Sequence, residues 1–390
     1  MKDKRCIVIT HQQALDSAGG GTQSYIQIAH QLRRMGIEVV LVPRLDRGTS
    51  PLWQQRFDQL RADGIEIFPA PRNQVHYLLN GLSVANIIRQ LITSRSVDAV
   101  LSWDYEAAFL LPLLRSYQIP LGMIAAEPSY AMWANRQTRL RSVKRMTDAW
   151  FRWRPLKYAD VVFVSSQFTQ QEITDLFDID PDRIVITRRG IDSGFSQIQR
   201  SCPSQITNLI FYGSLAPLKG VFDAIQALGL VAQQGVRNWT FKIAGWGNEA
   251  AVQQALQDNG IADQTMLLGR LDAKALMREV EWAQLAILPS QAESFGRAIA
   301  EAQAASLPVV SYAVGSIPEI ITHNHSGWLV PPQQIDQLAA ALITAIQNPE
   351  TTYQMGVAGH QQVTETFTWE KTAISMLQGI EQAQHRCVMS

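Results

Sequence analysis

Short apolar segments rich in valine and isoleucine alternate along the chain with longer amphipathic segments. The apolar runs predict strands buried on both faces of a sheet, and the amphipathic segments predict helices that cover those faces. In the first half, the predicted strands are Arg5–Thr10, Ile37–Val42, Gly64–Phe68, Val97–Ser102, Leu121–Ala125, Asp160–Val164 and Ile184–Thr187. In the second half, they are Asn208–Tyr212, Thr240–Ala244, Met266–Leu268, Leu285–Leu288, Pro308–Ser311 and Trp328–Val330. The alternation predicts an α/β protein with two Rossmann-like, doubly wound parallel-sheet domains.

A polar stretch without a hydrophobic period separates the two sets of strands. Residues 196–207 include a proline and several serines, a composition typical of a linker. We therefore expect an N-terminal domain over residues 1–195, a C-terminal domain over residues 208–367 and a final helix over residues 368–390. Two open parallel sheets joined in this way face a central cleft, and ligands of such folds bind beyond the carboxyl ends of the strands.

The overall composition excludes several classes of protein. The 390 residues include 34 Lys and Arg and 34 Asp and Glu, so no net charge attracts nucleic acid. Cys6, Cys202 and Cys387 are far apart, which excludes a disulfide framework and a CxxC metal site. No apolar run has the length of a signal-peptide core or a membrane span. We expect a cytoplasmic protein that can associate peripherally with the inner face of a membrane.

One segment departs from this overall neutrality. Between Arg136 and Lys157, Asp148 is the single acidic residue among many Lys and Arg. The basic residues that share one face of a projected helix are Arg141, Lys144, Arg145 and Arg152. Apolar and aromatic residues occupy the other face, which is typical of a helix that binds an anionic membrane surface. The alternative is a helix that packs into the first domain with its cations in water.

The loop after the predicted strand at Leu285 has the features of an anion site. Phe295, Gly296 and Arg297 lie at the start of a predicted helix, where backbone amides lack intrahelical acceptors and the helix dipole favours negative charge. Glu293 lies in the loop, and Glu301 lies two turns into the helix. Two carboxylates at different depths can each accept hydrogen bonds from sugar hydroxyls. The alternative is that both are solvated charges.

Two further loops also follow predicted strands. Lys219 comes directly before a predicted helix, where its ammonium suits a diphosphate, although a solvated loop lysine is the simpler alternative. Gly245 and Gly247 flank Trp246 after the next strand, and glycines there leave room for a base or ribose. An ordinary strand-to-helix turn has the same composition.

Taken in order, these motifs resemble glycosyltransferase family four, whose members are retaining, nucleotide-sugar-dependent enzymes of the GT-B fold. The motifs of the second half are Gly213 with Lys219-Gly220, Gly245-x-Gly247, Glu293 to Gly296 with Glu301-Ala302, Pro308 to Val310, Gly315 with Pro318-Glu319, and Gly327 to Pro331. Those of the first half are Gly19 to Gly21, Ala159 to Ser165, and Arg189 to Asp192. The resemblance implies transfer of a hexose from a nucleotide-diphosphate sugar to a carbohydrate or lipid-linked acceptor in cell-envelope polysaccharide or glycolipid synthesis. It also implies that the final helix crosses back to the first domain.

The resemblance also implies roles for individual residues. Glu293 would hold the donor sugar and Glu301 the ribose, while Lys219 and nearby amides would hold the diphosphate; Glu293 and Lys219 are the predicted catalytic residues. Gly20 and Gly21 would close onto the phosphates from the first domain. The other predicted donor-binding residues are Gly213, Ser214, Gly245, Gly269, Arg270, Leu271, Ser294, Phe295, Gly296 and Arg297. The predicted acceptor-side residues are Trp103, Asp104, Glu127 and Tyr130.

Departures from the family pattern keep two alternatives open. Ser214 stands where the family usually has an arginine, and Glu127 stands where many members have a histidine. A sugar-nucleotide epimerase of the same fold and a non-catalytic nucleotide-sugar-binding protein therefore remain alternatives. No metal or cofactor is expected, since Asp178-Ile179-Asp180 predicts a turn and His323 and His325 lack a third ligand nearby.

Overall fold

A computed structural model describes residues 5–11, 13–17, 20–46, 50–72, 80–103, 105–125, 150–151 and 154–389. Its contacts divide the chain into two units. The first unit comprises Met1–Gly190 and Trp369–Ser390, and the second comprises Ile191–Thr368. Some of the predicted acceptor-side and membrane-surface residues lie outside the described residues. They are Asp104, Glu127, Tyr130, Arg141, Lys144, Arg145 and Arg152.

The first unit is built on a parallel sheet. Its strands are β1 (Cys6–His11), β2 (Glu38–Leu45), β3 (Glu66–Ile67), β4 (Ala70–Pro71), β5 (Ala99–Ser102), β6 (Leu121–Ala125), β7 (Val161–Val164) and β8 (Ile184–Ile186). The described helices of its first segment are α1 (Gly20–Arg34), α2 (Pro51–Ala62), α3 (Asn80–Ser94), α4 (Ala107–Ser116), α5 (Arg154–Tyr158) and α6 (Gln167–Phe177). The strand order is β3-β2-β1-β5-β6-β7-β8, and β4 extends the pairing of β2.

Strand β1 shows why this sheet is covered on both sides. Cys6 and Val8 belong to one hydrophobic cluster, whereas Ile7 and Ile9 belong to another. Successive side chains of a strand point to opposite faces, so an unbroken apolar run needs a hydrophobic layer on each face. The continuous apolar runs of the sequence therefore specify a central, fully buried sheet.

The second unit repeats this architecture. Its strands are β9 (Asn208–Ser214), β10 (Thr240–Trp246), β11 (Thr265–Gly269), β12 (Leu285–Ile287), β13 (Val309–Tyr312) and β14 (Trp328–Val330). Its helices are α7 (Ser193–Ser196), α8 (Val221–Gln233), α9 (Glu249–Asp258), α10 (Ala273–Trp282), α11 (Arg297–Ala304), α12 (Ile335–Gln347) and α13 (Pro349–Thr366). The order β11-β10-β9-β12-β13-β14 is parallel throughout. The prediction of two parallel-sheet α/β domains is confirmed, and each predicted strand corresponds to an observed one with only small shifts at its ends.

The segment expected to be a linker is packed onto the second unit. Ile206 is buried in the core of that unit, as is Phe195 in α7, directly before the segment. The Arg200 side chain donates to the carbonyl of Ala305 at 2.6 Å and also to the carbonyls of Val280 and Ala283. Burial lowers the pKa of Arg200 to about 10, which still leaves it charged near neutral pH. Its guanidinium supplies donors to carbonyls at the carboxyl ends of α10 and α11.

The last helix, α14 (Trp369–Met389), belongs to the first unit. Ala373, Met376, Ile380 and Ala383 are buried in one of the two hydrophobic clusters of that unit. Their spacing places them on one face of the helix. Within the described part of the chain, no helix combines the length and the apolar character required to cross a bilayer.

Candidate functional site

In the second unit, the order of strands reverses between β9 and β12, which are neighbours although they are far apart in sequence. Ligands of open α/β sheets bind at such a reversal, beyond the carboxyl ends of the strands. The loop after β9 carries Lys219, and the loop after β12 carries Glu293. The backbone N–H of Gln291 donates to the carbonyl of Leu218 at 2.8 Å, so the two loops are directly joined.

Lys219 and Glu293 form an ion pair at this position. The Nζ of Lys219 lies 2.6 Å from Oε1 of Glu293. The Ser290 hydroxyl donates to the same carboxylate oxygen at 2.9 Å. The Lys219 side chain is 34% exposed and that of Glu293 13%, so solvent still reaches the pair. An ammonium and a carboxylate are thus held together where a ligand can contact both.

The start of α11 presents backbone amides beside this pair. Gly296 precedes the helix with φ +79°, a conformation that glycine adopts without steric cost. The Phe295 side chain is buried, with its ring centroid 5.5 Å from that of Phe367. Ser294 and Gly296, on either side of this ring, are buried as well, so the loop is held firmly where the helix begins. The first amides of a helix lack intrahelical acceptors, as the anion-site prediction requires.

Glu301 lies one turn into α11, not two as expected from the sequence, because the helix begins only at Arg297, and it is almost fully buried. Its Oε1 accepts from Nε of Arg297 at 2.6 Å, and its side chain is 8% exposed, against 41% for Arg297. The nearby Tyr212 hydroxyl donates to the carbonyl of Ala298 at 2.6 Å. Burial, reinforced by the Glu301 carboxylate, raises the pKa of Tyr212, so its phenol stays neutral. Arg297 therefore pairs with the second predicted carboxylate.

Gly213 and Gly245, two predicted donor-binding residues, lie near the ends of β9 and β10 and are partners across these two strands. A Cβ added at Gly245 would overlap the carbonyl oxygen of Gly213 on the neighbouring strand. Gly245 thus makes room for another backbone segment. Gly213 has φ +145° and no atom within 4 Å of a built Cβ. Ser214, next to it, accepts a hydrogen bond from the Ala216 amide through its hydroxyl at 3.4 Å.

An exposed aromatic residue lies near the other predicted donor-binding positions. Trp246, at the end of β10, is 55% exposed, and the guanidinium of Arg270 lies 5.7 Å from its ring centroid. Gly269 has φ +64° at the end of β11, and Leu271 packs partly buried against the core. Arg270 thus lies beside Trp246. The donor-binding prediction included Arg270 but not Trp246.

Both halves of the chain match family models of known proteins. Residues 202–362 match the family model described as Glycosyl transferases group 1, and residues 18–195 match the model Glycosyltransferase Family 4. The chain is a GT-B glycosyltransferase of the family 4 type. The family resemblance predicted from the motifs is confirmed.

The relatives and structural neighbours of this glycosyltransferase extend over nearly the whole chain. A glycogen synthase of Mycobacterium tuberculosis is 26% identical, covering 92% of this chain and 90% of the relative. A glycosyltransferase structure from Rickettsia africae superposes with a TM-score of 0.75 at 18% identity, covering 98% of this chain and 99% of that one. The Anabaena protein HepE, solved with UDP-glucose, superposes with a TM-score of 0.72 at 18% identity, covering 96% and 99%. At 18% identity these two structures show similarity of fold alone.

In the first unit of the glycosyltransferase, the strand order reverses between β1 and β5, and buried rings lie at the ends of these strands. His11 ends β1, and its ring centroid lies 4.9 Å from that of Tyr25 and 5.3 Å from that of Trp103. Sequence reasoning missed His11, although it ends a strand shortly before a run of glycines. Trp103, a predicted acceptor-side residue, is largely buried here.

The His11 ring explains the need for a glycine at the start of α1. The Gln13 amide donates to Nδ1 of His11 at 2.9 Å, and burial, together with nearby arginines, lowers the pKa of His11 to about 3. The neutral ring therefore carries its proton on Nε2. A Cβ built on Gly21 would lie 2.9 Å from that nitrogen. Gly20 and Gly21 are the first residues of α1, and Gly21 is packed close to this imidazole.

The structure thus brings several predicted residues together within the second unit and places others elsewhere. The loop after β9 brings Lys219 into contact with Glu293 in the loop after β12. The predicted residues that follow Glu293 in that loop and in α11 are Ser294, Phe295, Gly296, Arg297 and Glu301. Gly20, Gly21 and Trp103 belong to the first unit. Among the residues that the structure describes, no cluster of three metal-ligating side chains occurs. Asp178 ends α6 with φ +51°, in agreement with the predicted turn.

Proposed function

We propose that this glycosyltransferase transfers a hexose from a nucleotide-diphosphate sugar to a carbohydrate or lipid-linked acceptor with retention of the anomeric configuration. The contact between Lys219 and Glu293 beside the start of α11 is the observation that carries the proposal. A cation and backbone amides suit the diphosphate, and a carboxylate suits the sugar hydroxyls. The structure of HepE was solved with UDP-glucose, which supports this donor class. The glycogen synthase relative supports it as well. We assign the reaction to cell-envelope polysaccharide or glycolipid synthesis.

The proposed chemistry depends on stabilising the leaving group. As the bond between the anomeric carbon and the phosphate oxygen breaks, negative charge collects on the diphosphate. The Lys219 ammonium and the amides at the start of α11 stabilise that charge, since they are oriented before the reaction begins. The acceptor hydroxyl attacks from the face of the departing diphosphate, whose oxygen takes the hydroxyl proton. The nucleoside diphosphate leaves, and the configuration is retained.

The two ion pairs define how a donor enters this site. Lys219 pairs with Glu293, and Arg297 pairs with Glu301. A nucleotide sugar offers phosphates to both cations and hydroxyls to both carboxylates. On donor binding each cation gains a phosphate partner and each carboxylate accepts from sugar hydroxyls, so every charged group keeps a hydrogen-bond partner.

The first prediction concerns the reaction itself. We expect the protein to transfer labelled hexose from a nucleotide sugar in the presence of EDTA, because Lys219 and the helix amides take the place of a divalent metal. NMR of the product should show the anomeric configuration of the donor. Interconversion of the donor sugar without any acceptor would instead identify an epimerase. Nucleotide-sugar binding without transfer to any carbohydrate or lipid acceptor would identify a binding protein.

We also propose that the first unit contacts an anionic membrane surface. The guanidinium of Arg154 lies 4.5 Å from the Trp150 ring and 5.8 Å from the Tyr158 ring, and that of Arg115 lies 5.6 Å from the Tyr158 ring. Trp150 is 59% exposed and Tyr158 42%. Exposed aromatic rings next to cations are typical of surfaces that bind the headgroup region of a bilayer. Trp150 and Arg154 belong to the basic segment identified above, and Tyr158 directly follows it.

The second prediction tests this membrane contact. We expect sedimentation with vesicles containing phosphatidylglycerol at low salt, and Arg154→Ala should weaken it about fivefold because each surface cation contributes about 1 kcal/mol. Arg61→Ala is the matched control, since Arg61 also lies over an aromatic ring, Phe57, at 5.8 Å. Equal binding to neutral and anionic vesicles, or equal loss in both variants, would contradict the proposal.

A further inference from the structure

The carboxylate of Asp223 contacts two other segments of the second unit. Asp223 lies in the first turn of α8, one helical turn after Lys219. The Tyr312 hydroxyl, at the end of β13, donates to Oδ2 of Asp223 at 2.9 Å. The side-chain amide of Gln291 lies 3.3 Å from Oδ2 and 3.5 Å from Oδ1. One carboxylate therefore connects α8, β13 and the loop after β12.

The chemistry of Tyr312 and Asp223 stabilises the hydrogen bond between them. Tyr312 is fully buried as a residue, and burial, with the Asp223 carboxylate, raises the pKa of its phenol. The phenol therefore remains a hydrogen-bond donor across the pH range in which the protein is folded. Asp223 also lies in the first turn of α8, where a carboxylate interacts favourably with the helix dipole. A charged acceptor strengthens the hydrogen bonds that it receives.

The residues that Asp223 holds are adjacent to the ion pair. Gln291 follows Ser290, whose hydroxyl donates to Glu293, and the backbone amide of Gln291 donates to the carbonyl of Leu218. Leu218 directly precedes Lys219. A Cβ added at Gly220 would overlap the carbonyl oxygen of Pro289, so the same two loops also touch through their backbones. The position of Gln291 thus affects both members of the Lys219–Glu293 pair.

We propose that Asp223 is a positioning residue that accepts hydrogen bonds from Tyr312 and Gln291 and thereby holds the loop of Glu293 in register with the loop of Lys219. The expected effect of Asp223 on catalysis rests on the proposed function. Its structural part, the coupling of the two loops, concerns the ligand-free protein. Asp223 itself acts through Gln291 and has no contact with Lys219 or Glu293 among the hydrogen bonds of the described residues.

The test combines hydrogen exchange with kinetics in the full chain. In Asp223→Ala and Tyr312→Phe, we expect faster exchange in the peptide that contains Gln291, while helices α12 and α13 keep their protection. With UDP-glucose as the probe donor, kcat/KM should fall about tenfold, the effect of losing a hydrogen bond to a charged group. Asp223→Asn should recover most of this loss, because its amide oxygen still accepts from Tyr312.

Tyr353→Phe is the matched control. Its hydroxyl donates to the carbonyl of Arg200 at 3.3 Å in the same unit, away from both loops. We expect it to leave loop exchange and kcat/KM unchanged. Wild-type exchange and kcat/KM in Asp223→Ala and Tyr312→Phe, or an equal loss in Tyr353→Phe, would overturn the proposal. Faster loop exchange in Asp223→Ala, alongside a wild type that binds no nucleotide sugar, would support the coupling and contradict the proposed function.

Discussion

Glu293→Gln and Lys219→Ala are each expected to reduce kcat/KM by about two to three orders of magnitude, the usual effect of removing one group that stabilises developing charge. Glutamine keeps the size of Glu293 but loses the charge that attracts both Lys219 and sugar hydroxyls. Alanine at position 219 removes the cation that faces the diphosphate. Initial rates with a labelled donor, measured together with thermal unfolding, give the effect on activity separately from that on stability.

The matched control for these variants is a second lysine–glutamate pair in the same unit. Lys242 and Glu279 also lie 2.6 Å apart, with side chains 14% and 25% exposed. Glu279→Gln and Lys242→Ala should change stability by a similar amount and leave kcat/KM near the wild-type value. If the Lys219 and Glu293 variants turn over donor as fast as these controls, the assigned site is wrong.

Gly315→Ala is expected to cause the largest combined loss of stability and activity. Gly315 has φ +56°, and a Cβ there would overlap the carbonyl oxygen of Glu293. The Ser316 amide donates to the same carbonyl at 3.2 Å, so this contact supports the loop that carries the carboxylate. We expect the free energy of unfolding to fall by about 2–4 kcal/mol. Displacement of Glu293 should lower kcat/KM about a hundredfold, since catalysis is sensitive to small shifts of the reacting groups.

Gly260→Ala separates the two causes of that loss. Gly260 has φ +66°, similar to Gly315, but no atom lies within 4 Å of a built Cβ. Its replacement should therefore cost only the backbone strain, about 1 kcal/mol. Urea unfolding gives the free energy of unfolding of both variants, and initial rates of donor turnover give their kcat/KM. Similar results for the two glycines would show that the contact with Glu293 has no effect on the site.

The sequence predicted the strands well because their signal is local. A run such as Cys6 to Ile9 is apolar at every position, and only a sheet covered on both faces buries all of it. The stretch 196–207 was harder to interpret, since its polar composition is also found in mobile linkers. The structure shows that Arg200 is partly buried there, where backbone carbonyls at the ends of two helices converge on it. No local pattern indicates such a convergence.

The candidate site divides in the same way. Lys219 and Glu293 were each identified from a loop, a charge and a helix start, but each also had a solvated alternative. Their contact depends on β9 and β12 being neighbours, which is a property of strand order. His11 and Asp223 were missed because their significance comes from rings and donors distant in sequence. The close approach of the Gly213 carbonyl to Gly245 was likewise invisible in the sequence, since it depends on which strand lies beside β10.

The amino-acid sequence alone therefore determined the two α/β domains, the family and the loops in which the chemistry lies. These features follow from hydrophobic period, from helix and strand ends and from motif order, all of which are local along the chain. Only the tertiary structure decided that Lys219 pairs with Glu293, that Arg297 pairs with Glu301 and that Asp223 joins the two loops. The contacts of Lys219 and of Asp223 link residues far apart in sequence, and they depend on the order of the strands in the folded sheet. Arg297 and Glu301 lie one helical turn apart, and the structure selects this pairing among the partners open to each.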